Sequence, residues 1–258
     1  MTRWARFRFR DGRTGFGTLE HGRMEEYAGD PFGAAHRTGA TVPLEEVVLE
    51  SPCRPSKIIA LWNNFHALAA KLGKSPPARA LYLIKPESCV VGPGEPIRRP
   101  TGYAGKIVFE GELGIVIGRR CKDVPVAGAA DCIFGYTCVN DVTAAEVLNE
   151  TPDFAQWCRS KGYDTFGCLG PVIATGLEWS KARVITRLDG VERQSYALSD
   201  MICPPEQLVS QLSHDMTLLP GDVIACGTSL GVGSIRDGST VEVSIDGIGS
   251  LINTLSPR

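Results

Sequence analysis

No stretch of this sequence approaches the roughly 20 consecutive apolar residues that a membrane-spanning helix needs, so no membrane span is expected. The opening residues, MTRWARFRFRDGR, hold no apolar segment of the kind a secretory leader requires, which points to a cytoplasmic protein. There is no C-x-x-C pair. Nine cysteines lie scattered from Cys53 to Cys226, and an odd count without paired spacing fits neither a disulfide framework nor a zinc site. They read as small buried thiols in a reducing compartment. Charge of one sign is not in excess: 27 Lys and Arg stand against 29 Asp and Glu, which excludes the basic face of a nucleic-acid binder. Arg3, Arg6, Arg8, Arg10 and Arg13 are dense, but they alternate with Trp4, Phe7 and Phe9 as strand residues do. Internal repeats and low-complexity tracts are missing. So is a regular βαβ alternation, which disfavours a Rossmann sheet or a TIM barrel.

What is present suits one large domain, or one with a small appendage: 258 residues, of which 43% are apolar. Short strands are predicted at Trp4–Arg10, Gly15–Glu20 and Val47–Glu50, with a tight turn at Asp11-Gly12. Two prolines in Ser51–Ser56 mark a linker. Residues 1–52 thus form a small N-terminal β unit and 53–258 the main domain. In the latter, strands are predicted at Lys57–Leu61, Leu81–Lys85, Lys106–Ile117, Phe134–Asn140, Val172–Ala174, Val184–Leu188, Val223–Cys226 and Thr240–Ile245. Helical segments are predicted at Phe65–Leu72, Ala127–Ile133, Thr143–Asn149 and Gln207–Leu212. The fold class is α+β and mainly β.

The most informative pattern is Glu110-Gly111-Glu112 inside the apolar strand KIVFEGELGIVI. Alternate residues of a strand share a face, so both carboxylates converge. Like charges side by side are unfavourable unless a cation lies between them or one is protonated. Asp141, ending another strand, offers a third oxygen donor, and three carboxylates suit a hard cation, Mg²⁺ or alternatively Mn²⁺ or Ca²⁺. The competing reading puts both glutamates on a solvent face and makes Asp141 a helix N-cap. Lys161-Gly162-Tyr163-Asp164-Thr165 reads as a loop whose lysine either polarises an oxyanion beside the metal or is simply solvated. Gly227–Gly233 is a glycine-rich turn able to cradle an anion, and without a G-K-[ST] ending it does not bind a nucleotide.

These segments occur in a familiar order. KIIALWNNFHALAAKLG, LYLIKP, FEGELGIVIGR, FGYTCVNDVTA, WCRSKGYDTFGCLGPVIATG, LLPGDVIACGTSLGVG and VEVSIDGIGSL together resemble the fumarylacetoacetate hydrolase family over most of residues 57–253. The resemblance implies a mixed β-sandwich roll, a homodimer, and Mg²⁺, Mn²⁺ or Ca²⁺ held by Glu110, Glu112 and Asp141. It implies that Lys161 and Gly162 bind substrate or oxyanion, that Thr165 is a nearby polar contact, and that Thr228 meets a substrate carboxylate. Gln194 lies in a familiar GVERQ stretch. His66 matches a catalytic histidine, with Lys161 the second catalytic group. The expected substrate is a small 2-oxo acid, cleaved at a C–C bond through a metal-stabilised enolate, by acylpyruvate-type hydrolysis or β-oxo acid decarboxylation. The alternatives are keto–enol isomerisation of a 2-hydroxy-diene-dioate and a non-catalytic ligand-binding relative.

Three positions depart from the family pattern: Ala69 stands where a glutamate often pairs with the histidine, and Ala145 and Leu148 replace a substrate-binding Arg and Gln. The metal half of the site is complete and the acid–base half is partly stripped. Glu87 or Glu146 is the carboxylate that would orient His66 instead.

Overall fold

The computed structural model describes residues 1–257. Alternating apolar and charged residues form β1 (Thr2–Phe9), whose Ala5 and Phe7 are buried. The Asp11-Gly12 turn, with Gly12 at φ +89°, leads into β2 (Thr14–Glu20). Two further strands, β3 (Arg23–Gly29) and β4 (Ala35–Pro43), were not legible in the pattern. Only Met24 of β3 is buried and β4 has no buried residue, so backbone pairing rather than a hydrophobic stripe defines them. β5 (Val47–Glu50) then returns along β1.

The remaining elements in chain order are β6 (Lys57–Trp62), α1 (His66–Lys71), β7 (Leu81–Pro86), β8 (Val90–Val91), β9 (Ile107–Phe109) and β10 (Gly111–Ile117). They continue with α2 (Val126–Ala129), β11 (Ile133–Asp141), β12 (Thr143–Ala144), α3 (Trp157–Lys161) and β13 (Gly167–Thr175). Last come β14 (Arg183–Leu188), β15 (Val191–Ala197), α4 (Pro205–Asp215), β16 (Val223–Ala225), β17 (Gly233–Ile235), β18 (Thr240–Ile245) and β19 (Gly249–Thr254).

A 12-stranded mixed sheet runs β4-β3-β2-β1-β13-β11-β10-β16-β6-β7, with β5 added on β1 and β8 on β13. A three-stranded sheet, β12-β9-β17, and a four-stranded one, β15-β14-β18-β19, complete the fold. This is the mainly-β α+β architecture read from the sequence. The Asp189-Gly190 hairpin has φ of +51° and +78°, the paired positive values a two-residue turn demands. α4 starts with Pro205 in its first turn and buries Leu208, Val209 and Leu212. Among the described residues no helix is long and apolar enough to cross a membrane. All nine cysteines are free, and all but Cys158 are buried.

The two faces of the large sheet bury different clusters. Leu113, Ile115 and Ile117 enter the larger core; Val116, Val139, Leu169, Ile58, Ala60 and Val223 enter the smaller one on the opposite face. The register places Glu112 opposite Val139, and Lys85 opposite Ile58. Glu112, Asp141 and Lys85 therefore belong to the smaller face, where α3 packs against β7 and β12. The site is built there.

Two expectations about this region are corrected. Lys106–Ile117 is not one strand: it breaks at Glu110, β9 joining the three-stranded sheet and β10 the large one. Residues 143–149 likewise form the short strand β12 and a 3-10 turn (Ala145–Asn149) rather than a helix.

Candidate active site

The strand break brings the glutamates together by a different route from simple alternation. Asn140 Oδ1 accepts the Glu110 N–H at 3.1 Å, and the Asp141 N–H donates to Glu110 O at 2.9 Å. These bonds turn Glu110 across the ends of β10 and β11. Carboxylate oxygens of Glu110, Glu112 and Asp141 then lie within 4.8 Å of one another. Asp141 ends β11 and is buried, which sets aside the reading as a helix cap. Gly111 is required between the glutamates: a Cβ there would meet Thr186 Oγ1 at 2.0 Å.

Two ammonium groups enter this cluster. Lys161 is the last residue of α3, buried rather than in a solvated loop; its Nζ lies 2.6 Å from Asp141 Oδ2, 2.8 Å from Thr143 Oγ1 and 2.9 Å from Glu110 Oε2. Lys85, which sequence reasoning missed, is equally buried and pairs with Asp141 Oδ1 while donating to Phe166 O at 2.8 Å. A signal was available: Leu83 and Lys85 share one face of LYLIKP, so a lysine occupies an inward position of an apolar strand. An inward lysine needs a buried acid.

The electrostatics follow from this packing. Burial favours the neutral form of Asp141, but Lys161 and Lys85 outweigh it and hold its pKa below the usual carboxylate value. Burial likewise works against the Lys161 ammonium, and the carboxylates of Asp141, Glu110 and Glu112 overcome it, so that its pKa is raised. Glu112 is the odd member. Its Oε2 accepts the Gly227 N–H at 2.8 Å, whereas its buried Oε1 has no hydrogen-bond partner among the described residues. Burial, then repulsion from Asp141 and Glu110, pushes its pKa well above the ordinary value.

This donor set fits a metal. Three carboxylates and two ammoniums leave one formal negative charge, and a buried oxygen without a partner is costly unless something accepts its lone pair. All-oxygen donors with no His or Cys among them suit a hard divalent cation, which the triad could bind.

The other predicted residues fall into two groups. Thr228 lies at the cluster's edge: its hydroxyl donates to Gly111 O at 3.0 Å and accepts from Gln194 Nε2 at 2.8 Å. Gln194 is buried, and its Oε1 accepts the Gly111 N–H at 3.0 Å, so this glutamine has a structural place that its sequence context only hinted at. Gly162 caps α3, and a Cβ there would meet Cys158 O at 2.5 Å and Pro86 Cδ at 3.2 Å, which explains the glycine by packing. Thr165 Oγ1 accepts the Arg98 N–H at 2.8 Å, tethering the segment before β9. His66 is not drawn into the cluster. It opens α1, is exposed, and among the described residues its ring makes no hydrogen bond or ion pair, while Ala69 one turn on is buried. Glu146 does not orient it, because that carboxylate accepts from the Tyr103 hydroxyl and from Lys106 N at 2.8 Å.

A mixed β fold carries a buried acidic triad braced by two lysines, and comparison with known proteins sets that fold among enzymes acting on small carbon acids. The model for the fumarylacetoacetate (FAA) hydrolase C-terminal domain matches residues 57–256, and that for the Rv2993c-like N-terminal domain matches residues 2–52. The chain belongs to the fumarylacetoacetate hydrolase family and is an enzyme of it. It is 43% identical to Protein Rv2993c of Mycobacterium tuberculosis over 231 residues, covering 88% of this chain and 86% of that one. To the oxaloacetate tautomerase YisK of Bacillus subtilis it is 34% identical over 226 residues, covering 82% and 74%. Its structure resembles that of 2-hydroxyhepta-2,4-diene-1,7-dioate isomerase from Mycobacterium marinum, with a TM-score of 0.91, 38% identity and coverage of 100% and 99%. It also resembles maleylpyruvate hydrolase from Sphingobium sp. SYK-6 in complex with manganese(II) and pyruvate, with a TM-score of 0.79, 27% identity and 99% coverage of both chains.

Proposed function

We propose that this enzyme binds a small 2-oxo acid beside one divalent cation, Mg²⁺ first and Mn²⁺ or Ca²⁺ as alternatives, held by Glu110, Glu112 and Asp141, and that it interconverts keto and enol forms of that acid. The observation that carries this is the buried, unpartnered Oε1 of Glu112 within the acidic triad, with the Lys161 ammonium alongside.

A bound cation supplies Lewis-acid polarisation of the 2-oxo group. The chain's own residues do the rest. Lys161, fixed by Asp141, Glu110 and Thr143, holds a permanent positive charge where negative charge develops on the substrate oxygen. Lys85 fixes Asp141 from its other oxygen, so that carboxylate is positioned before substrate arrives. Thr228, in the turn that also donates Gly227 N–H to Glu112, offers a hydroxyl for the substrate carboxylate.

Tautomerisation is favoured over hydrolysis because hydrolysis needs an activated water, and His66 has no carboxylate partner with which to activate one. Cleavage of a C–C bond is the second reading. The similarity to a maleylpyruvate hydrolase seen with manganese(II) and pyruvate supports it, since both reactions share the same electron sink. The family also favours a homodimer as the working assembly, which light scattering checks.

The test is a spectrophotometric assay of oxaloacetate enolisation, alongside acylpyruvate and unsaturated 2-oxo diacid substrates, with added Mg²⁺ and Mn²⁺. Metal-dependent interconversion without loss of carbon is expected. Undiminished activity after exhaustive chelation overturns the proposal, and pyruvate release from an acylpyruvate transfers the assignment to hydrolysis.

A further inference from the structure

A glutamine outside the charged cluster is bonded to the peptide between the two glutamates. Gln194 lies on β15, paired in register with Thr186 on β14, and is 1% exposed. The Gly111 N–H is a donor only, so the Gln194 atom it meets at 3.0 Å must be the carbonyl oxygen. That fixes the amide's orientation, and its Nε2 then faces Thr228 Oγ1 at 2.8 Å as a donor. A hydroxyl that receives a hydrogen bond from an amide must direct its own proton elsewhere. Thr228 sends it to Gly111 O at 3.0 Å, an acceptor already occupied by the Tyr196 hydroxyl at 2.6 Å.

We propose that Gln194 is a positioning residue that fixes the Thr228 hydroxyl as a hydrogen-bond donor toward the carboxylate of a bound 2-oxo acid, while holding the peptide between Glu110 and Glu112 in place. This rests on the proposed function above and deepens it. Turning the Thr228 proton to the ligand strands no acceptor, because Gly111 O keeps its bond from Tyr196. With the amide removed, the hydroxyl is free to present its lone pairs to the anion, which disfavours binding. One amide thereby couples the strand bearing the carboxylates to the turn that meets the substrate.

The test is a double-mutant cycle on oxalate affinity in the Mn²⁺-loaded protein, read by calorimetry, with Mn²⁺ affinity of the same variants measured separately by electron paramagnetic resonance. Gln194→Met and Thr228→Val are each expected to weaken oxalate by about tenfold, the scale of one hydrogen bond to a charged group. The double variant should be no weaker than either single one, because both remove the same donor. Thr228→Ser, which keeps the hydroxyl, should bind oxalate normally. Gln194→Asn, whose shorter amide cannot span both partners, should behave as Gln194→Met and serves if the latter does not fold. Additive losses near a hundredfold, or an unchanged oxalate affinity in Gln194→Met, overturn this role while leaving the metal-dependent function standing. Failure of the wild-type, Mn²⁺-loaded protein to bind oxalate overturns both.

Discussion

On the floor of the site, Glu110, Asp141, Lys85 and Lys161 are tied into one network of ion pairs with Glu112 among them. On α1, only a few residues beyond the end of β6, His66 is exposed and its ring has no hydrogen-bond or ion-pair partner among the described residues. The floor is over-determined: Asp141 is gripped from both oxygens, and the strand break at Glu110 is pinned by bonds to Asn140 and Asp141. The rim is anchored at residues other than His66: Phe65 is buried against the Tyr196 ring and bridges Met201, Ala69 is buried one turn on, and the Ala67 N–H meets Asp200 Oδ2 at 3.0 Å. The difference teaches where charge is concentrated: the buried ion pairs join the large sheet to α3, and none of them involves α1.

The sharpest way to break that contrast is to neutralise the floor. Glu112→Gln removes a proposed ligand and not merely an outer support, so Mn²⁺ affinity should fall by more than the roughly 10–100-fold typical of losing an outer partner. Metal-dependent turnover should vanish with it. Retention of wild-type Mn²⁺ affinity in this variant would falsify the triad as the metal site.

Lys85→Met attacks the floor from beneath. It strips Asp141 of one of its two counterions in a buried setting, where breaking a pair typically costs about 3–5 kcal/mol. Urea denaturation of the metal-free protein measures this. A loss under about 1 kcal/mol would mean that Lys161 alone satisfies Asp141.

The floor also has a pH signature. Glu112 has a raised pKa when folded, so between the ordinary carboxylate value of 4.5 and its own higher value the folded chain keeps a proton that the unfolded chain has lost. Stability of the metal-free protein therefore falls as pH rises through that window, with a slope of up to about 1.4 kcal/mol per unit. Asp141 acts oppositely and lower: its pKa is depressed, so its contribution is present above 3.8 and is lost as pH falls through its folded value. The two windows do not overlap. Thermal melts of wild type against Glu112→Gln from pH 5 upward isolate the first, and identical slopes would remove Glu112 as an unpaired buried acid.

How much of this was visible in the sequence divides along the same line. Glu110, Glu112 and Asp141 were legible because acids inside apolar strands need a reason to be there, and periodicity supplied the strands. The mechanism of convergence was not: a break at Glu110 leaves no mark in KIVFEGELGIVI, since β9 and β10 are both apolar and differ only in which sheet receives them. Lys161 was misplaced in a loop because α3 is only five residues long, too short for a helical period to show. Lys85 was passed over although its alternation with Leu83 marked it as inward. β3 and β4 were missed because they carry almost no buried side chains. His66 rests on resemblance alone: the structure places it exposed at the start of α1, outside the acidic cluster, and leaves its role to experiment.

The smallest expected effect lies on the rim, and it is the most discriminating. His66→Ala removes an exposed side chain with no partner, so stability should change by less than about 0.5 kcal/mol. Mn²⁺ affinity should stay at the wild-type value, because no contact links this ring to the triad. If tautomerisation relies on the sheet alone, turnover should fall by no more than a few-fold. A general acid–base group, by contrast, contributes about 10²–10⁴-fold. A loss of that size at unchanged metal affinity would return His66 to the reacting centre, and would require α1 to move over the substrate against the anchorage of buried Phe65 and Ala69 so that an exposed ring reaches the floor. The kcat measurement on this one variant therefore decides between a site that works as a rigid charged cradle and one completed by a moving helix.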